Sequence, residues 1–250
     1  MRRAARRVIR LLVEKAGYTI NARTKTGCPP DFSPEAISLC NRVKPFTMTT
    51  PERVSALHES VRYVVRNRIP GSILECGVWK GGSVMACALT LLDTGDLRDI
   101  WMFDTFEGMS QPTDADRNLR GESAATLLSA EPRDTSHIWA VAPLDEVKRN
   151  VVSTGYPSHL LNYVQGPVES TVPKRAPQRI ALLRLDTDWY ESTYHELVHL
   201  FPRLSPGGVL VIDDYGNWTG ARKAVDQYFE EQSMSPLLHR IDYTGRILVK

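Results

Sequence analysis

Apolar positions along the chain recur at two periods. Between Thr49 and Pro70, Val54, Leu57, Val61, Val64 and Val65 fall on one face at helical spacing, which predicts an amphipathic helix. Thr49-Thr50-Pro51-Glu52 supplies its start, because threonine suits a cap and proline is tolerated in a first turn. Pro70-Gly71 supplies its stop. Beyond it, short apolar runs alternate with helical patterns. Ser72–Cys76, Ile100–Phe103, Leu161–Gln165, Ile180–Leu185 and Val209–Ile212 read as strands. The last two are near-continuous apolar runs, as expected of central parallel strands covered on both faces. Helices are predicted around Ser83–Leu92, Leu144–Val152 and Ala221–Gln232. His239–Tyr243, Gly245 and Arg246–Val249 read as an antiparallel hairpin. The result is an α/β, Rossmann-like fold with a mostly parallel seven-stranded sheet closed by a C-terminal hairpin. In such sheets ligands bind outside the carboxyl ends of the strands.

Two stretches break the pattern. Residues 1–46 are expected to form a basic helical extension and cover segment, with Gly27-Cys28-Pro29-Pro30 and Ser33-Pro34 as breakers, and residues 47–250 the main domain. Residues 108–137 are polar and too long for an ordinary connection, so a substrate lid and a disordered loop both stay open.

Charge changes the picture only at the start of the chain. Net charge is +2, which gives no support for nucleic-acid binding, and Arg2, Arg3, Arg6, Arg7 and Arg10 leave the remainder mildly acidic. With Val8, Ile9, Leu11, Leu12 and Val13 between and beside them, these arginines fit a solvated terminal helix. The same pattern also fits weak contact with an anionic membrane surface. Arg10 and Glu14 interrupt the apolar run, which argues against a secretory signal. No run approaches the roughly 20 residues that span a bilayer. Cys28, Cys40, Cys76 and Cys87 show no paired spacing. A cytoplasmic protein is expected, with peripheral contact to the inner membrane face left open.

The first strand runs into Glu75-Cys76-Gly77-Val78-Trp79-Lys80-Gly81-Gly82-Ser83 and then a helix. Glycines let a backbone turn sharply against a ligand. The spacing matches neither the dinucleotide fingerprint nor a P-loop. Glu75 before the glycines would repel a phosphate, yet it could pair with an amino-acid ammonium group. Asp104 ends the second strand, where an acid commonly binds ribose hydroxyls. Glu75, Gly77, Gly81, Ser83 and Asp104 together suit an adenosine bearing an amino-acid tail, as in S-adenosylmethionine.

The strongest pattern lies on the two central strands. Leu185-Asp186-Thr187-Asp188-Trp189-Tyr190 ends one, and Ile212-Asp213-Asp214-Tyr215 ends the next. Asp186 and Asp188 would share a face if the strand continued through them. Four uncompensated carboxylates in one place would be costly, and a bound cation relieves the cost. Oxygen donors without clustered Cys or His favour Mg²⁺ or a similar hard ion.

The segments Glu75–Ser83, Phe103–Gly108, Leu185–Thr193 and Val209–Asp226 resemble the macrocin O-methyltransferase (TylF/MycF-like) family of sugar methyltransferases. The resemblance covers most of the chain from about Thr47 onward. It implies a class I methyltransferase fold and methyl transfer from S-adenosylmethionine to a hydroxyl of a sugar or glycosylated natural product. It further implies a metal held by Asp186, Asp213 and Asp214, Asp188 as general base, and a homo-oligomer. Residues 1–46 and Ser110–His137 match less clearly, and acceptor choice is expected to reside there.

Other residues carry weaker signals. His58 reads as a packed or surface histidine. His137, His159, His195 and His239 lack partner spacing. Trp189, Tyr190, Tyr215 and Trp218 fit an acceptor pocket and core packing equally. A catechol acceptor and a non-catalytic nucleotide-binding partner protein remain as rivals; the glycine spacing disfavours a nicotinamide-dependent dehydrogenase.

Overall fold

The computed structural model describes residues 15, 27–133 and 135–250. The predicted helix of the arginine-rich start lies outside the described residues. From residue 27 onward the first two α-helices are α1 (Pro34–Val43) and α2 (Pro51–Arg66). There follow β1 (Ser72–Cys76), α3 (Gly82–Thr94), β2 (Ile100–Asp104), α4 (Ala124–Ala130), α5 (Leu144–Val152) and β3 (Leu161–Gln165). The second half comprises α6 (Val168–Thr171), β4 (Ile180–Leu185), α7 (Tyr190–Leu200), β5 (Leu204–Ile212), α8 (Thr219–Glu231), β6 (His239–Arg240) and β7 (Arg246–Val249).

Seven strands form one sheet in the order β3-β2-β1-β4-β5-β7-β6. The first five are parallel, and β7 runs antiparallel to β5 with Val211 opposite Ile247. The hairpin is shorter than its pattern predicts, since β6 is two residues long. Neighbouring residues of one strand feed opposite cores, as a period of two requires. Ile73 and Leu182 pack with Leu57, Val61, Met85 and Val147 on one face. Leu74 and Leu183 pack with Leu197, Val225 and Phe229 on the other. Parallel order places the carboxyl ends of β1, β2, β4 and β5 at one edge, where every candidate residue lies.

One expectation changes, at Ser33-Pro34. Ser33-Pro34 starts α1 and breaks nothing: the serine hydroxyl accepts from the Ala36 amide at 3.2 Å, and proline occupies the first turn. Leu39, Cys40 and Val43 of α1 join the same core as α2 and α3. The 108–137 stretch carries α4 and is pinned at Asp116, which is fully buried. Its Oδ1 accepts from the Tyr190 amide at 2.8 Å and its Oδ2 from the Thr113 amide at 2.7 Å. Among the described residues no helix is long and apolar enough to cross a membrane.

Candidate active site

The turn after β1 is built for close approach. Gly77 has φ 80°, and a Cβ there would sit 1.9 Å from the Asp186 carbonyl oxygen. The glycine is therefore required by the neighbouring β4 loop as much as by any ligand. Gly81 has φ 89° and starts α3, where a Cβ would press on Val151 at 2.9 Å. It packs α3 against α5 and is not among the residues lining the cavity described below. Gly82 and Ser83 do line it.

At this edge of the sheet opens a cavity of about 390 Å³. Glu75, Gly77, Ser83 and Asp104 line one part of it, and Asp186, Asp188, Asp213 and Asp214 another. Phe46 and Thr47 also line it. Asp104 accepts from the Val78 and Trp79 amides at 2.6 and 3.1 Å and from the Phe106 amide at 2.7 Å. It thus ties the glycine turn to the loop after β2. Burial raises its pKa against the pull of those amides.

Asp186 and Asp188 meet by a route other than strand alternation. β4 ends at Leu185, and Asp188 adopts φ 67°, a left-handed conformation that aspartate tolerates better than most residues. Carboxylate oxygens of Asp186, Asp188 and Asp214 lie within 4.8 Å of one another. Asp213, expected in the same cluster, faces arginine: its Oδ1 accepts from Arg184 Nη2 at 2.6 Å and its Oδ2 pairs with Arg53 Nη1.

Arg184 and Arg53 are therefore the residues that sequence reasoning missed. Arg184 is buried and also pairs with Glu75 and, at 2.7 Å, with Asp186. A signal existed: Arg184 stands two residues before Asp186 on a strand, hence on the same face. Glu75 is its register partner on β1. Arg53, 160 residues away from Asp213, gave no local signal. Its Nε also contacts Asp242 at 3.0 Å.

The electrostatics reflect crowding. Burial lifts Glu75 to about 7 against the stabilising Arg184 charge. Burial likewise lifts Asp188 to about 7, opposed by hydrogen bonds from Asp214 and Trp218. Asp186 and Asp214 are pushed well upward by burial, then by neighbouring carboxylates. Asp214 Oδ2 is buried and has no hydrogen-bond partner. An orphaned acceptor among three crowded carboxylates fits a hard divalent cation. Of the aromatic candidates, Trp189 and Tyr190 do not line the cavity, whereas Trp218 does. His58 is buried, with Nδ1 2.8 Å from the Thr90 hydroxyl, so it packs the core.

The family model for macrocin-O-methyltransferase (TylF) matches residues 40–250. A tetracenomycin-C rhamnosyl 4'-O-methyltransferase of Streptomyces olivaceus is 33% identical over 217 residues, covering 86% of this chain and 80% of that relative. The mycinamicin III 3''-O-methyltransferase of Micromonospora griseorubida is 33% identical over 207 residues, 80% of this chain and 76% of its own. Among solved structures, the O-methyltransferase NovP superposes with a TM-score of 0.71 at 28% identity, covering 82% of each chain. The calicheamicin methyltransferase CalS11 shares the fold with a TM-score of 0.60 at 21% identity, over 92% of this chain and 98% of the other.

Proposed function

Because the chain belongs to the macrocin-O-methyltransferase family and is an O-methyltransferase, we propose that it methylates a hydroxyl of a sugar on a small molecule or glycoconjugate. S-adenosylmethionine is the donor, and a divalent cation such as Mg²⁺ is required. The observation that carries this reading is one cavity joining the Glu75–Ser83 turn and Asp104 to the cluster of Asp186, Asp188 and Asp214. The sugar acceptor rests on the names of the relatives, which act on rhamnosyl-tetracenomycin and on mycinamicin III.

Bound in this cavity, the cofactor supplies an electrophilic methyl group, and the cation supplies positive charge that acidifies a nearby hydroxyl. Asp186 and Asp214 would hold the cation directly. Asp213 would complete the set through an oxygen shared with an arginine. Glu75 would receive the cofactor ammonium group beside Arg184, and Asp104 the ribose hydroxyls, with Gly77 and Ser83 shaping the wall. Asp188, adjacent to the cation ligands, takes the proton from the acceptor hydroxyl. Holding two reactants together supplies much of the remaining acceleration.

Incubation with methyl-labelled S-adenosylmethionine, Mg²⁺ and a panel of deoxysugar glycosides and catechols tests the reading. Label in a sugar methyl ether supports it; label only in catechols assigns the acceptor to the other class.

A further inference from the structure

Trp218 immediately precedes α8 and sits four residues beyond Asp214. Its indole Nε1 donates to Asp188 Oδ2 at 3.1 Å. Its backbone amide donates to the Asp214 carbonyl at 3.0 Å, so the ring's position is tied to the aspartate pair at the end of β5. The ring is 6% exposed and meets Trp189 edge to face, with centroids 5.0 Å apart. Both tryptophans pack with Ala124 and Leu128 of α4 and Ala221 of α8.

These contacts bear on a carboxylate whose other hydrogen bond is shared with the Asp214 carboxyl. Asp188 lies beyond β4 with φ 67°, outside any ladder that would fix its direction. Its carboxylate stands among other carboxylates, which repel it. A phenyl ring could fill the same apolar cluster; the indole adds one donor, and that donor faces Asp188. Buried indole N–H groups are ordinarily satisfied, and here the acceptor is the residue read as the base.

We infer that Trp218 is a positioning residue for Asp188, its N–H fixing the rotation of the carboxylate that receives the acceptor proton. This rests on the reading of Asp188 as general base. The indole touches both the cavity and α4, so the fold of the 110–130 segment is linked to the orientation of the base. A hydrogen bond to a charged acceptor commonly contributes enough to change a rate about 10- to 100-fold.

Three variants test the inference: Trp218→Phe, Asp188→Asn and the pair combined. Trp218→Phe keeps a ring against Trp189 and removes the donor. It is expected to lower kcat about 10- to 100-fold with KM and S-adenosylhomocysteine affinity unchanged. In the Asp188→Asn background the same substitution should cause no further loss, because residues acting as one unit are non-additive. Trp189→Phe is the packing control: its indole donates to the Ser110 carbonyl at 3.0 Å and not to Asp188. Any rate loss it causes should multiply with Asp188→Asn. An unchanged kcat in Trp218→Phe, or a loss that multiplies in the double variant, overturns the inference. Unchanged turnover in Asp188→Asn alone instead removes the base reading, a failure visible before the pair is compared.

Discussion

Replacing Asp188 by asparagine separates proton transfer from everything else in the cavity. Asparagine has the same size and tolerates φ 67° as readily as aspartate does. Its amide oxygen can still accept from the Trp218 indole, which lies 3.1 Å from Asp188 Oδ2. What disappears is the capacity to take a proton. Loss of a general base typically lowers turnover about 10²- to 10⁴-fold, or about 2.7 to 5.5 kcal/mol of transition-state stabilisation. Folding should not suffer. Full charges 4.8 Å apart would repel by about 3.5 kcal/mol at an effective dielectric near 20, and burial already shifts these carboxyls toward the neutral form, so the relief is smaller than that. Removing one of them relieves repulsion, so the metal-free variant should melt no lower than the parent. Single-turnover methyl transfer, with Mg²⁺ and S-adenosylhomocysteine titrated calorimetrically, checks all parts. Turnover close to the parent's would refute the role of base. A collapse of Mg²⁺ affinity would make Asp188 a ligand instead.

Four further outcomes follow. Asp186→Asn and Asp214→Asn should abolish Mg²⁺ binding while sparing S-adenosylhomocysteine, and Asp213→Asn should weaken it less because two arginines already hold that carboxylate; calorimetry ranks the three. Gly77→Ala forces a Cβ to 1.9 Å from the Asp186 carbonyl at a φ of 80° and should destabilise the fold by about 2 kcal/mol or more, read by urea unfolding. Burial lowers the pKa of His58 below 6.5, so the unfolded chain binds the proton more readily and this histidine's contribution to stability is lost as pH falls below 6.5 through the folded value. His58→Gln should therefore show a smaller stability loss than the parent over that acid range, measured by denaturant unfolding at a series of pH values. Ser33→Ala removes the cap that the Ala36 amide uses and should cost about 1 kcal/mol by the same assay, whereas no change would mean that α1 is not held by its cap.

Local rules made the strands legible. β1, β3 and β4 coincide with their predicted segments because each is short and its apolar residues stop at turn residues. The glycine turn and the paired aspartates were legible for the same reason: they follow strand ends, and a parallel sheet gathers strand ends at one edge. What compensates the aspartates was harder to read. Arg53 reaches Asp213 from a different helix, and no periodicity reports a partner so distant in sequence. Residues 108–137 left a lid and a disordered loop both open because they carry few large apolar groups. A buried Asp116 fastens them to the start of α7, and α4 packs on two tryptophans contributed by other segments. Ser33-Pro34 misled because one dipeptide both ends a loop and begins a helix.

The most direct test of the account is calorimetric titration of Mg²⁺ into protein saturated with S-adenosylhomocysteine, for the parent chain and for Asp214→Asn. One cation per chain should bind to the parent and none to the variant, with S-adenosylhomocysteine bound by both. Failure of the parent to bind S-adenosylhomocysteine or Mg²⁺, or equal Mg²⁺ binding by the variant, would contradict it.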